Sequence, residues 1–362
     1  AIGDVLEEAY SSENPDAMYR LADSFSSDRD DQSIETLISR LYDYSRVHPS
    51  PEKWLRLIPE QYEIEGIHAV DDLEFIGPLK TAIRHSLEEA AALTGEMRRI
   101  AQMPNGPEPL AATAETDLMW IDEAIRRITV GSWEETYEFF GTLKWVRAGT
   151  IRKDTCDEEL ADRAKKIRDV VKKIINDLKE KYFIRTPTRL LDEIKLMAPA
   201  MHTLIDLVID FGRRYETVKI DRGIVDFSDL EHYALRILSV EIDSKLLPSD
   251  IAIDYRKRFS EVLVDEYQDT NLLQETIVNL VKNGDEKDGN LFMVGDVKQS
   301  IYGFRLAEPN LFLGKYKNFT TTGEESGLKI DLNANFRSRK EVLDSTNFIF
   351  SQVMGARVGD ID

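Results

Sequence analysis

Residues 262–270 read VLVDEYQDT. Three apolar residues run into two adjacent carboxylates, Asp265 and Glu266, and then into Gln268 and Asp269. Buried strands seldom end in so much negative charge without a cation to receive it. The stretch decides the fold through its neighbours in the chain. NLLQETIVNLVKN (271–283) is patterned as a helix, and NLFMVGD (290–296) is a second short run rich in Leu, Phe and Val. A third run, LKIDLN (328–333), comes after the helical EPNLFLGKYKNF, and SRKEVLDSTNFIFSQV reads as a last helix. Strand–helix–strand–helix order implies a parallel sheet covered by helices, with ligands bound outside the carboxyl ends of its strands. Asp265, Asp296 and Arg337 come after the first, second and third of these runs, and Asp296, directly after Gly295, reads only as a turn residue.

Before residue 245 the sequence reads as helix after helix. Ile34, Leu37, Ile38, Leu41 and Tyr42 recur at helical spacing, and another long pattern comes after Pro78. MPNGPEPLAA (103–112) breaks the pattern as a loop. In 155–183, Leu160, Ala164, Ile167, Val171, Ile174 and Leu178 alternate spacings of four and three, a heptad-like seam expected in a packed helical hairpin. The expected fold is therefore mainly α with a C-terminal α/β part. The helical domain covers 1–245 and the α/β domain 246–362.

Composition narrows the function. With 362 residues, 42% of them hydrophobic, the chain is long enough for two domains with their own cores. No apolar run is long enough for a transmembrane helix, and the N-terminus carries no secretory pattern. The chain starts without Met, as an excised or processed chain would. A single cysteine, Cys156, excludes an internal disulfide and a cysteine metal cluster and fits a cytoplasmic protein. The net charge of −20 argues against a polyanionic partner, yet residues 143–189 hold 14 Lys/Arg against 8 Asp/Glu. That island is either a solvated mixed-charge helix or a patch, including Lys165, Lys166, Lys172 and Lys173, that faces duplex DNA or a protein partner.

The strand-end carboxylates suit nucleoside triphosphate hydrolysis. One carboxylate must hold Mg²⁺ and another must orient or deprotonate the attacking water. Asp265 fits the first task and Glu266 the second. The alternative is that Asp269 or Thr270 merely caps the next helix, and the DE pair by itself leaves both readings open.

The later blocks favour the first. VLVDEYQDT, then FMVGDVKQSIYGFR (292–305), then LNANFRS (332–338) resemble motifs II, III and IV of superfamily 1 DNA helicases of the UvrD/Rep type. IVDFSDLEHYALRIL (224–238) is similar to the segment that leads into motif II in that group. The wording GDVKQSIYGFRLAEP, the long helical insert before it and SRVHPSPEKWL (45–55) look like the first subunit of AddAB-type helicase–nucleases.

The resemblance implies a helical insertion domain (1B) attached to an incomplete RecA-like, P-loop NTPase sheet (1A). It implies an ATP-dependent helicase/nuclease that processes double-strand DNA ends for recombinational repair, with Mg²⁺ and ATP as cofactors. Its partners would be single-stranded DNA, duplex ends and an AddB-like second subunit. It gives Gln299 the sensing of the γ-phosphate, Arg337 the role of an arginine finger, and Gln268 the linking of motif II to the DNA side. Tyr302, Phe304 and Arg305 would lie against exposed bases; many family members have Trp where this chain has Phe304.

The phosphate-cradling Gly-x-x-x-x-Gly-Lys-Ser/Thr does not occur in the sequence. In the resembling family it precedes the helical insert, so the expectation is a piece holding half of an ATP site and inactive alone. Two other readings stand beside it: a non-catalytic helical module that binds DNA or a partner, and a degenerate ATPase with a structural role.

Overall fold

The computed structural model describes residues 2–12, 15–26, 30–151, 155–284, 288–324 and 326–354. In chain order the helices begin with α1 (Ile2–Tyr10), α2 (Asp16–Phe25), α3 (Gln32–Ser45) and α4 (Pro51–Glu60). Next come α5 (Ile76–Ala101), α6 (Pro109–Val130), α7 (Trp133–Gly141), α8 (Glu158–Tyr182), α9 (Pro187–Arg222) and α10 (Phe227–Leu238). The remainder is β1 (Ser239–Ile242), β2 (Lys245–Pro248), α11 (Asp250–Arg258), β3 (Val262–Val264), α12 (Leu272–Val281), β4 (Leu291–Met293), α13 (Pro309–Asn318) and α14 (Lys340–Val353). The chain is mainly helical, as the periodicity predicts.

It divides into two compact units, Ala1–Pro59 with Pro199–Asp362, and Glu60–Ala198. This division falls elsewhere than the change of sequence pattern at 245/246. The reason is physical: helical periodicity shows that α1–α4 and the later part of α9 each bury a face, but not which helices they bury it against. Both crossings between the units occur at a proline inside a helix, Pro59 in α4 and Pro199 in α9.

The unit 60–198 is built on α5, α6 and α8. Ile83, Leu87 and Ala90 of α5 meet Ile121, Ala124 and Ile128 of α6 and Val171 and Ile175 of α8, with Trp133, Phe140 and Phe183 filling one end. The seam on α8 holds at Ala164, Val171 and Leu178, while Ile167 and Ile174 are only half-buried. One polar residue shares this buried face. Arg168 makes a two-pronged contact with Asp117 of α6, at 2.8 and 3.2 Å, and donates to the carbonyl of Val146 at 2.8 Å. A guanidinium fork matched to a carboxylate satisfies both groups where water cannot reach.

The other unit carries both sheets found among the described residues. β1 and β2 form an antiparallel hairpin that begins within the stretch helical periodicity claims up to 245 and runs past its end; its two turn residues, Asp243 and Ser244, both take positive φ. That is the conformation a tight two-residue hairpin needs, and Asp-Ser is a weak sequence sign of it. β3 and β4 pair in parallel, Val262 beside Leu291 and Val264 beside Met293. The third expected strand is a correction. LKIDLN makes one isolated bridge, Leu328 with Thr320, and is otherwise irregular. Leu328, Ile330 and Leu332 alternate as a strand would, but they lie exposed, and a strand exists only where a neighbour completes its ladder.

Replacing Arg168 with Met leaves Asp117 buried without its cation. Urea denaturation should show a loss of about 3–5 kcal/mol, most of it recovered when Asp117 is also replaced by Leu.

Candidate functional site

The site begins where β3 ends. The ladder with β4 continues past the strands: Val294 N–H donates to the Val264 carbonyl, and Tyr267 N–H donates to the Val294 carbonyl, both at 2.9 Å. Between those bonds Glu266 adopts a left-handed conformation, φ 49° and ψ 42°. A side chain there costs on the order of 1–2 kcal/mol. The turn ends the strict alternation of the strand at the position where a catalytic carboxylate is expected. Asp265 accepts the Glu266 N–H on Oδ1 at 2.9 Å, and both side chains are exposed.

Gln268, only 1% exposed, organises the turn. Its Nε2 donates to Glu266 Oε2 at 2.7 Å and to Asp269 Oδ2 at 3.2 Å. Its Oε1 accepts the N–H of Asp296, beyond β4, at 3.0 Å. The partners fix the amide orientation, since carboxylates only accept and a backbone N–H only donates. Gly295 is required beside it, because a β-carbon there would stand 2.6 Å from Gln268 Oε1. Asp269 and Thr270 do not cap the next helix. Asn271 does, in a capping box with Gln274, so the carboxylates of 265–269 are left to other work.

The second strand end repeats the arrangement. Asp296, which the sequence offers only as a turn residue, accepts from the Lys298 backbone N–H at 3.1 Å and pairs with the Lys298 ammonium at 2.8 Å. It also accepts from Gln299 Nε2 at 3.1 Å. Burial pushes its carboxyl up, but the bonds from Lys298 and Gln299 outweigh this and hold it below the usual carboxylate range. Gln299 is thereby held at the strand end; among the described residues no hydrogen bond joins it to Asp265 or Glu266.

Beyond it, Tyr302–Arg305 forms a short helical turn. Phe304 is 76% exposed and Tyr302 36%, so neither is a core aromatic. Their ring centroids are 5.8 Å apart, and the Arg305 guanidinium lies 4.9 Å from the Tyr302 ring and 5.6 Å from the Phe304 ring. Two exposed rings with a cation over them have the geometry that base stacking requires. Arg337 is exposed, its backbone N–H bonded to Asn335 Oδ1 at 2.9 Å and its guanidinium unpaired among the described residues. Among those residues no hydrogen bond or ion pair joins it to the 265–305 group.

The groups that seat this turn escape sequence reasoning. Arg46 donates to Ser228 at 2.6 Å and pairs with Asp229 at 3.2 Å; its carbonyl bonds His232 at 2.9 Å. The next carbonyl, Val47, accepts from Leu273 at the start of α12 at 2.9 Å. Lys219, nearly buried, bridges Asp226 and Asp229 at 2.8 and 2.6 Å. Sequence shows only ordinary charged residues at these positions; the capping pattern Asp226–Asp229 is the available signal.

The lysines of the other unit are a separate matter. Lys165, Lys166 and Lys173 are exposed on α8, and Lys172 is half-buried with its ammonium 5.9 Å from the Trp145 ring. Lys166 is paired with Asp162 at 2.7 Å, and Asp169 and Asp177 are also exposed on the same helix. The stripe is of mixed charge.

For metal, no cluster of three or more His, Cys, Asp or Glu residues occurs among the described residues. Asp265 Oδ2 and Glu266 Oε1, both on exposed side chains, and the buried Asp269 Oδ1 accept no hydrogen bond among them. This fits Mg²⁺ that arrives on nucleotide phosphates, which uses one or two carboxylates and keeps water ligands. No helix among these residues is long and apolar enough to cross a membrane.

Comparison with known proteins gives consistent results. The model of the UvrD/REP helicase N-terminal domain matches residues 111–320, more than half of the chain. The A subunit of the ATP-dependent helicase/nuclease of Lysinibacillus sphaericus is 58% identical over 99% of this chain. The proteins of the same name from Bacillus cytotoxicus and Bacillus mycoides are each 44% identical over its whole length. The chain spans 29% of the length of each of these curated relatives.

Gly295→Ala should force Gln268 off Asp296. A loss of about 1–3 kcal/mol in urea denaturation is expected, typical of overpacking a filled site; unchanged stability would contradict the contact.

Proposed function

The chain belongs to the UvrD/REP helicase family, and on that premise we propose that residues 262–305 are the carboxylate half of an ATP site joined to a single-strand DNA contact. The observation that carries this reading is the buried Gln268 amide, which holds the Glu266 carboxylate with one end and the backbone of the DNA-side segment with the other. Asp265 holds Mg²⁺ and Glu266 orients and deprotonates the attacking water. Mg²⁺ held there with a nucleotide would offset the charge that develops on the transferred phosphoryl group. Gln299, steadied by Asp296, reads the γ-phosphate, and Arg337 donates its guanidinium fork to it from the segment after residue 333. Tyr302, Phe304 and Arg305 stack on bases without regard to sequence.

β3 and β4 are, in this proposal, two strands of a RecA-like motor sheet (1A), and the helical unit 60–198 belongs to its inserted domain (1B). The protein acts as an ATP-dependent helicase/nuclease subunit on double-strand DNA ends in recombinational repair, in the cytoplasm, beside an AddB-like second subunit. The names of the relatives support the part of this reading that makes it an ATP-dependent helicase/nuclease subunit. The residues of the phosphate cradle are not among these 362, so the chain by itself hydrolyses ATP no faster than its Glu266→Gln variant. A second reading makes the Lys165, Lys166, Lys172 and Lys173 face a duplex-binding surface. The exposure of three of the four favours it, and the interleaved Asp162, Asp169 and Asp177 weigh against it.

Phe304→Ala should weaken binding of a fluorescein-labelled oligothymidylate about 5- to 100-fold, the loss of one base–aromatic stack. Neutralising the four lysines should leave that affinity unchanged, as read by fluorescence anisotropy. The opposite pattern would move the DNA contact to α8.

A further inference from the structure

The turn that carries Tyr302, Phe304 and Arg305 has two stems, and the motif II segment grips both. On the first stem, Tyr267 N–H bonds the Val294 carbonyl and Gln268 Oε1 takes the Asp296 N–H. On the second, the Thr270 carbonyl takes the Glu308 N–H at 3.0 Å, just ahead of α13. Leu306, with φ 61°, turns the chain between the exposed residues and this second stem.

A buried ion pair reinforces the second stem. Glu275 lies on α12 with its side chain 9% exposed, and Lys315 lies on α13 with 18% exposed; their charged atoms are 3.1 Å apart. The Glu275 carboxylate also accepts from the Tyr267 hydroxyl and from Asn279 Nδ2, at 3.1 Å for the latter. The Tyr267 ring is wholly buried and packs near Phe312 of α13, with ring centroids 6.1 Å apart. Thus the residue after Glu266 is tied through its side chain to Glu275, and Glu275 to the helix after the DNA-facing turn.

An apolar pair would stabilise a helix contact as well or better. What the charged group adds is direction: a carboxylate with three donors accepts one placement of α13 and penalises others. We infer that Glu275 and Lys315 form a positioning latch, holding the second stem of the 297–307 turn in register with the carboxylate turn at 265–269. Single-strand affinity then depends on a pair that touches neither DNA nor nucleotide. The inference rests on the reading of Tyr302, Phe304 and Arg305 as the base-stacking surface.

The test uses the 362-residue chain and a fluorescein-labelled oligothymidylate, with Phe304→Ala as the control for that reading. Lys315→Met and Glu275→Gln are expected to weaken binding by on the order of tenfold, and Lys315→Arg to restore most of it. Amide exchange in 297–307 should rise in the weakened variants, while protection in β3, β4 and the 60–198 unit stays unchanged. A general loss of structure would raise all three. Should a single variant fail to fold, the double change Glu275→Leu with Lys315→Met keeps an apolar contact without the charges. The latch requires this double variant to fold and still bind weakly. Wild-type affinity in folded Lys315→Met or in the folded double variant, with Phe304→Ala impaired, overturns the latch alone. Wild-type binding by Phe304→Ala overturns the stacking surface, and the latch with it.

Discussion

The site depends on one buried amide. Gln268 has a donor end and an acceptor end, and both are committed: the first to Glu266 and Asp269, the second to the backbone N–H of Asp296. An apolar side chain of the same size would take a partner from the Asp296 N–H and from the half-buried Asp269 carboxylate, and a polar group left unsatisfied away from water costs more than the bond itself contributes. An acid or a base would match only one of the two ends. This constraint explains why Gly295 has no room for a β-carbon, why the β3–β4 ladder extends past the strands, and why Glu266 holds a strained backbone.

Around that amide the chain solves a problem of rigidity. A three-residue parallel pair is a small platform, and β3 and β4 are each no longer than that. The turn is braced instead from outside the sheet. Arg46 and Val47 hold the starts of α10 and α12, Lys219 joins two carboxylates at the α10 cap, and Glu275 ties α12 to α13. Residues far apart in sequence therefore fix a few ångströms at the end of one strand. The exposed aromatic turn projects from this braced frame, so its geometry relative to Glu266 is set by bonds on both of its stems.

Much of this is legible in the sequence because it is local. β3 and β4 stand where runs of Val, Leu and Phe precede acidic residues, and α8, α12, α13 and α14 stand where the helical spacing puts them. Asp265, Glu266, Gln268 and Gln299 can be named because the blocks that hold them are specific and short. The failures are of another kind. LKIDLN has the pattern of a strand, but pairing depends on a neighbour that pattern does not supply. The hairpin at 239–248 is hidden by its Asp-Ser turn. The Asp117–Arg168 and Lys219–Asp229 pairs join residues whose partners are set by tertiary packing, so each looks like solvated charge when read alone. Asp296 reads as a turn residue because nothing in one dimension shows Lys298 and Gln299 folding back on it.

The central claim is that Gln268 physically joins the two strand ends, and amide hydrogen exchange at Asp296 tests it most directly. The account predicts that this N–H is protected in the wild-type chain and exchanges much faster in Gln268→Leu, while the amides of α12 and of the 60–198 unit keep their protection. An Asp296 amide that exchanges freely in the wild-type chain, or equally slowly in both, would contradict it.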